Sequence, residues 1–335
     1  MTTQSLRTEP LVGRLVRDVP SPPTDLARPP AQSPRRRWRQ YLKWCLGIRL
    51  GSFEHYPPRP LRVPTRYWRK SVLSQPPLIS IVTPTINQGA FLERTLRSVL
   101  EQGYPRLEYI VQDGASGDET PAILDRFKTR LHHVDSRPDG GQAHALNLGF
   151  AHARGEIMAY LNSDDLLLPG ALHYVAAYFS AHPQVDVVYG HRVIVDRDDG
   201  EIGRWVLPPH SNAMLSWADY VPQETLFWRR RIWDRAGGRM DERFQFALDW
   251  DLLLRFRAAG ARLVRLPRFL GAFRVHDAQK TSALLESVGA REMNALRRRA
   301  LGREVSKVEV RSANLPYLLR HALYHWLYQT GLAGY

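Results

Sequence analysis

From residue 78 onward, apolar positions alternate between short unbroken runs and stripes spaced three and four apart. The run Leu78-Ile79-Ser80-Ile81-Val82-Thr83 predicts a strand, and Asn87-Gln88-Gly89 a turn. Leu92, Leu96, Val99 and Leu100 then share one face of a helix. The order repeats: a strand over 107–111, a polar loop over 113–118, and a helix carrying Ile123, Leu124 and Phe127. A third strand is expected near 132–134. After Gly140-Gly141 come a helix over 143–153, a strand over 157–161 and a helix over 169–182 entered through Pro169. Alternating strands and helices predict a mainly parallel sheet covered on both faces, a Rossmann-like α/β fold. Strands over 185–195 and 202–206, separated by Asp198-Asp199-Gly200, predict a hairpin that makes the sheet mixed.

The flanks read differently. Residues 1–77 hold 13 of the 24 prolines, which break helices and remove strand donors, so a largely disordered leader is expected. Within it, residues 35–44 combine arginines with Trp38, Tyr41 and Trp44, the composition of a short interfacial helix; a solvated basic tail fits equally. Past the α/β domain, taken as 78–283, a helical extension over 284–335 is expected. Its second helix carries Tyr317, Leu319, Leu323, Tyr324, Trp326 and Tyr328, an amphipathic pattern whose first expected partner is the α/β domain.

Charge changes this picture only at the leader. The net charge of +14 suggests a nucleic-acid binder, yet residues 1–77 contain 15 Lys/Arg against 4 Asp/Glu, which leaves +3 for the rest. The single cysteine, Cys45, excludes an intramolecular disulfide framework and points to a reducing compartment, the cytoplasm. No stretch reaches the about 18–20 apolar residues that cross a bilayer, and no signal-peptide pattern opens the chain, so attachment at the inner face of the membrane is the remaining membrane option.

Ligands of open α/β sheets bind beyond the carboxyl ends of the strands, and here those ends are acidic. Asp113 closes the second strand, and Asn162-Ser163-Asp164-Asp165 follows the apolar run 157–161. Two adjacent carboxylates repel one another unless a cation joins them; a divalent metal bridging them to a diphosphate resolves the conflict, and a solvated turn is the plainer alternative.

Taken together, Ser80-Ile81-Val82-Thr83-Pro84-Thr85-Ile86-Asn87, Gln112-Asp113-Gly114-Ala115-Ser116-Gly117-Asp118, Asp139-Gly140-Gly141-Gln142-Ala143 and Asn162-Ser163-Asp164-Asp165 resemble, in order and spacing, the family 2 glycosyltransferases. The resemblance implies a GT-A fold, a nucleoside-diphosphate sugar donor (a UDP-sugar favoured), Mg²⁺ or Mn²⁺, and inverting transfer. Carried over by position, it sets Thr83, Pro84 and Asn87 on the nucleotide-facing loop, Asp113 at the base, Asp164 near the ribose and Asp165 on the metal. Gly141 and Gln142 would lie along the donor. Gln223, Glu224 and Trp250 would face the acceptor, and Arg274 and His276 would approach the diphosphate, His276 completing the metal shell. Asp249 is the implied catalytic base, although Leu248 stands where the family commonly has Glu. Physically, inversion needs one carboxylate on the acceptor side to take the hydroxyl proton. Asp251, two positions on, is expected to point elsewhere and orient the site or cap its helix.

The acceptor expected from this reading is a glycan or lipid-linked sugar in cell-surface polysaccharide synthesis, with the basic-aromatic ends resting on a membrane surface. A catalytically degenerate sugar-nucleotide binder is the alternative that Leu248 raises. Nucleic acid is not an expected partner, since phosphate-backbone binding has no use for acids at strand ends. A dinucleotide-dependent oxidoreductase lacks its Gly-x-Gly-x-x-Gly turn after the first strand.

Overall fold

The computed structural model describes residues 48–70, 73–277 and 288–335. The expected basic helix over 35–44, most of the leader and the boundary at 283 lie outside these residues.

Strand β1 (Ile79–Thr85) is buried at every position, which is what an unbroken apolar run implies for a strand covered on both faces. It pairs in parallel with β2 (Leu107–Asp113) on one side and β4 (Ile157–Tyr160) on the other, and β2 pairs in parallel with β3 (His133–Ser136). Beyond β4 the sheet turns antiparallel at β8 (Phe227–Arg229) and continues through β6 (Val187–Val195), β9 (Leu263–Arg274) and β5 (Leu166–Leu167). The expected hairpin is β6 with β7 (Glu201–Trp205). Because β1, β2 and β4 run the same way, residues 84–87, 113–118 and 162–165 converge at one edge.

Helices α1 (Gly89–Leu100), α2 (Thr120–Phe127) and α4 (Ala171–Ala181) bury Leu92, Leu96, Phe127 and Phe179 on one face of the sheet. Helix α3 (Gln142–Ala151) and α7 (Leu248–Ala258) cover the other through Leu146, Phe150, Trp250 and Phe256. Of two short helices, α5 (Asn212–Leu215) packs on α7, and α6 (Arg230–Arg235) packs on both β8 and α7. The extension folds as expected: α8 (Ala290–Leu301) and α9 (Lys307–Gln329) place Leu296 and Tyr317 in the same core as α7. Asp251, fully buried, binds Arg255 at 2.8 Å and Arg299 of α8 at 2.6 Å, so it ties the extension to the domain.

Two expectations change. Helix α4 starts at Ala171, not at Pro169, because Gly170 takes a left-handed φ of 67° to cap it. A Cβ on Gly170 would fall 1.9 Å from the Tyr67 carbonyl oxygen. That contact exposes the second difference: residues 48–70 are packed, not loose. Tyr67 sits in a core with Leu168, Val193 and Phe269, and Arg59 bridges antiparallel to Glu201 at the edge of β7. Prolines rule out a long helix here, and a single 3-10 turn over Thr65–Trp68 presents Tyr67, while the extended stretch along the sheet edge needs only alternate donors. Among the described residues no helix is long and apolar enough to cross a membrane.

Candidate active site

A cleft of about 660 Å³ opens beyond the carboxyl ends of β1 and β4. Of the expected site residues, Pro84, Gly141, Gln142, Asp164, Asp165, Gln223, Glu224 and Asp249 line it. Gly141 has φ of 105°, and its N–H is donated to Asp139 at 2.7 Å, which leaves open space where a side chain would stand. An amide relay crosses the floor: Gln142 to Asn162 at 2.8 Å, Asn162 to Gln223 at 3.2 Å, and Gln223 to the Tyr160 carbonyl at 2.7 Å.

Other expected residues hold the walls from behind. Thr83 points away from the cleft to the Tyr109 hydroxyl at 3.0 Å, the alternation that puts Pro84 on the other side. Asn87, at φ of 50°, joins the first loop to the second by accepting from Gly117 at 2.9 Å and donating its N–H to Ser116 at 2.7 Å. Asp113 is fully buried and its oxygens accept from Ser116 and Ser136, so its carboxylate shapes the loop rather than opening on the cleft. Trp250 is buried with its indole N–H donated to Leu215 at 2.8 Å; one residue past Asp249 on a helix, it turns into the core. Arg274, also buried, braces the acidic loop: its backbone N–H binds Asp165 at 3.1 Å and its Nε the Asp164 carbonyl at 2.8 Å, while its guanidinium pairs with Asp199.

The acids differ in setting. Asp165 is 1% exposed, and burial, with Asp164 and Glu224 adding repulsion, pushes its carboxyl well up from the usual range. His276 approaches Asp164 and not Asp165: Nε2 lies 3.0 Å from Oδ2, and the imidazole rests on Phe91 at 4.4 Å. Among the described residues no group of three or more His, Cys, Asp and Glu side chains is gathered as a metal cage. One carboxylate and one imidazole nonetheless suit an ion that takes its remaining ligands from diphosphate and water, so the residues present fit Mg²⁺ or Mn²⁺. Across the cleft, burial raises Asp249 to about 6, against the N–H of Trp250 at 2.9 Å and the Arg192 charge, which lower it. Leu248 lines the cleft beside it.

Comparison with known proteins decides what shares this arrangement. A sequence model described as Glycosyl transferase family 2 matches residues 80–241. An uncharacterized glycosyltransferase of Mycobacterium tuberculosis is 31% identical over 189 residues, covering 55% of this chain and 70% of that protein. The chain belongs to glycosyl transferase family 2. The O-antigen biosynthesis protein RfbC of Myxococcus xanthus is 31% identical across 75% of this chain, which spans only 19% of that relative's length. In fold, the chain resembles S. aureus TarS in complex with UDP-GlcNAc (TM-score 0.55, 19% identity, 73% of this chain and 72% of that one). It also resembles a Pyrobaculum calidifontis mannosyltransferase in complex with GDP-Man and Mn²⁺ (TM-score 0.54, 21% identity, 88% and 83%). The curled, mainly parallel sheet with flanking helices is thus the GT-A fold of family 2.

Sequence reasoning missed the far wall. Arg192 lies inside the cleft, paired twice with Glu224 at 2.8 and 2.6 Å. Asp219 opens on the cleft, where the enclosing walls and the neighbouring Asp249 raise its carboxyl although the residue is exposed at the mouth. Phe53, Trp205 and Phe273 also line the cleft. A lone Arg on one strand and a lone Asp before Tyr220 carry no local signal; only the packing of β6, β7 and β9 brings them together.

Proposed function

We propose that the chain transfers a sugar, with inversion, from a nucleoside-diphosphate sugar to a glycan or lipid-linked acceptor in cell-surface polysaccharide synthesis. The observation that carries the proposal is one carboxylate, Asp249, in the same cleft as Pro84, Gly141, Gln142 and Asp164. The M. xanthus relative's role in O-antigen synthesis supports the pathway class. UDP-GlcNAc in TarS favours a UDP-sugar, and GDP-Man in the P. calidifontis enzyme is the competing donor.

In this reading Asp249 accepts the proton of the acceptor hydroxyl as its oxygen forms the new bond to the anomeric carbon. The bond to the departing diphosphate breaks on the opposite face, so no covalent enzyme intermediate forms. A carboxyl raised to about 6 suits that role, being ionised at neutral pH yet basic enough to take the proton. The Trp250 N–H keeps one oxygen oriented. Asp164 and His276 would hold Mg²⁺ or Mn²⁺, with Asp165 adjoining; when bound, that ion stabilises charge on the leaving diphosphate. Gly141 leaves room for the donor, and the amide relay holds Gln142 in place.

The setting we propose is the cytoplasmic face of the membrane, with peripheral attachment. Tyr317 of α9 is buried and Tyr324 and Tyr328 pack against the domain, while Leu315, Leu319, Leu323 and Trp326 stay exposed along the helix, with Arg311 and Arg320 beside them. That is the pattern of an interfacial helix. Anionic liposomes should cosediment the chain, and Leu319→Ser with Trp326→Ser should release it; equal binding by the variant would remove the argument from α9.

Calorimetric titration with UDP-, GDP- and dTDP-sugars, each with Mn²⁺ and with EDTA, tests the donor reading. One nucleotide class should bind with metal and lose affinity in Asp164→Ala. No binding by any of the three would sink it.

A further inference from the structure

The cleft's far wall is aromatic and is finished by a segment that lies before the stretch matching the family model. Phe53 stacks on Trp205 of β7 and on Phe273 of β9, both at 5.4 Å between ring centres with planes within 22° and 28°. All three rings line the cleft, and Phe53 and Phe273 are only half-buried.

The segment carrying Phe53 is firmly held. His55 donates its N–H to Ile202 at 2.8 Å, Arg59 and Glu201 exchange backbone bonds at 3.1 and 2.7 Å, and the Trp205 indole binds the Ser52 carbonyl at 2.8 Å. At its start, the N–H groups of Arg49 and Leu50 are donated to His321 Nε2 of α9 at 3.2 and 3.0 Å. Burial pushes His321 down to about 3, so the imidazole is neutral and accepts. Phe53 is thus set by β7 on one side and by the C-terminal helix on the other.

Charge decides what such a wall takes. The Arg192 guanidinium lies 4.7 Å from the Trp205 ring centre and 4.4 Å from that of Phe273, and the bidentate pair with Glu224 cancels its charge. Asp219 and Asp249 open on the same cleft. An aromatic wall whose neighbouring guanidinium is held by Glu224 offers phosphate no anchor and suits a neutral pyranose, whose C–H face packs on the rings while its hydroxyls reach Asp219 and Asp249. We propose that Phe53, Trp205 and Phe273 form an acceptor subsite that stacks a neutral pyranose ring, completed by the segment from 49 to 59. The assignment to acceptor rather than donor rests on the proposed glycosyl transfer.

The test uses the full chain with methyl glucopyranoside, methyl galactopyranoside and methyl N-acetylglucosaminide, read by saturation-transfer NMR, alongside calorimetry with UDP and Mn²⁺. At least one pyranoside should bind, and Phe53→Ala and Phe53→Leu should weaken it about tenfold while Phe53→Tyr keeps it. UDP affinity should not move. Wild-type affinity in Phe53→Leu would show that bulk, not the ring, matters and would overturn the subsite. So would no pyranoside binding, or a parallel fall in UDP affinity, which would hand the wall to the donor. UDP failing to bind while pyranosides still depend on Phe53 counts for the wall and against the donor reading.

Discussion

On the proposed donor side, the loops are tied between neighbouring parallel strands: Gly117 to Asn87 at 2.9 Å, Gly89 to Asp118 at 2.8 Å, and Asp113 to Ser116 after β2 and to Ser136 at the end of β3. The opposite wall is gathered from far apart in the chain, with Phe53 before the first strand, Arg192 and Trp205 in the hairpin, Asp249 on α7 and Met293 on α8. The contrast has a chemical reason. A nucleoside diphosphate presents the same groups to every enzyme that uses it, and strand ends with short loops suffice. An acceptor is particular, and a wall built from the chain's outer segments can change without disturbing β1, β2 or β4.

If the two sides are separable, substitutions should divide along the same line. The largest effect is expected from Asp249→Asn, which keeps shape and removes the base: transfer should fall about 10²–10⁴-fold with nucleotide affinity unchanged. Titration and a transfer assay on the same preparation check this. Unchanged transfer would favour the degenerate-binder reading that Leu248 raises. Arg192→Met comes next. It leaves the Glu224 carboxylate buried without its partner, and a loss of about 3–5 kcal/mol in urea unfolding is expected. Arg192→Met with Glu224→Leu should recover much of that loss, because the penalty is the stranded charge and not the missing pair.

The donor side was also the part legible in the sequence, for the same physical reason. Strands buried on both faces give unbroken apolar runs, and polar residues directly after them must lie at one edge, so Asp113 and Asp164-Asp165 announced themselves. Direction within that edge was not legible. Asp113 turned out to be enclosed by Ser116 and Ser136, and Arg274 to brace the acidic loop, because side-chain partners come from other strands. Phe53 gave no signal in a proline-rich stretch. Its position depends on the edge contact of Arg59 with Glu201 and on His321, which lies 271 residues from Leu50. The family resemblance of its segment set Trp250 toward the acceptor, yet one step along the helix from Asp249 it turns into the core and binds Leu215.

Gly155→Ala tests the donor side at the end remote from the cleft. A Cβ there would fall 2.4 Å from the Ser80 backbone nitrogen, where Gly155 donates its N–H to Ser80 Oγ at 2.7 Å. Backbone cannot yield as a flexible side chain does, so about 1–3 kcal/mol of stability should be lost. Thermal unfolding measures it. The pyranoside affinity should stay as in wild type, since nothing in the far wall touches β4's entry; a fall in that affinity would show the two sides to be coupled.

The smallest effect expected is in pH. Only ionised Asp249 can take the acceptor proton, and burial has raised its carboxyl to about 6. At saturating nucleotide sugar, transfer should therefore climb about tenfold per pH unit below 6 and level off above it. The groups facing this carboxylate sort its causes: Arg192 lowers it, Glu224 raises it, and Asp219 resists ionising beside it. Two carboxyls this close titrate as a pair, so the profile belongs to both. Asp219→Asn, which mimics the protonated neighbour, should retain the climb near 6 and remove any slower rise at higher pH. A profile with its midpoint near the ordinary carboxylate range would mean that the far wall leaves Asp249 in open water, and that the base is solvated instead of enclosed.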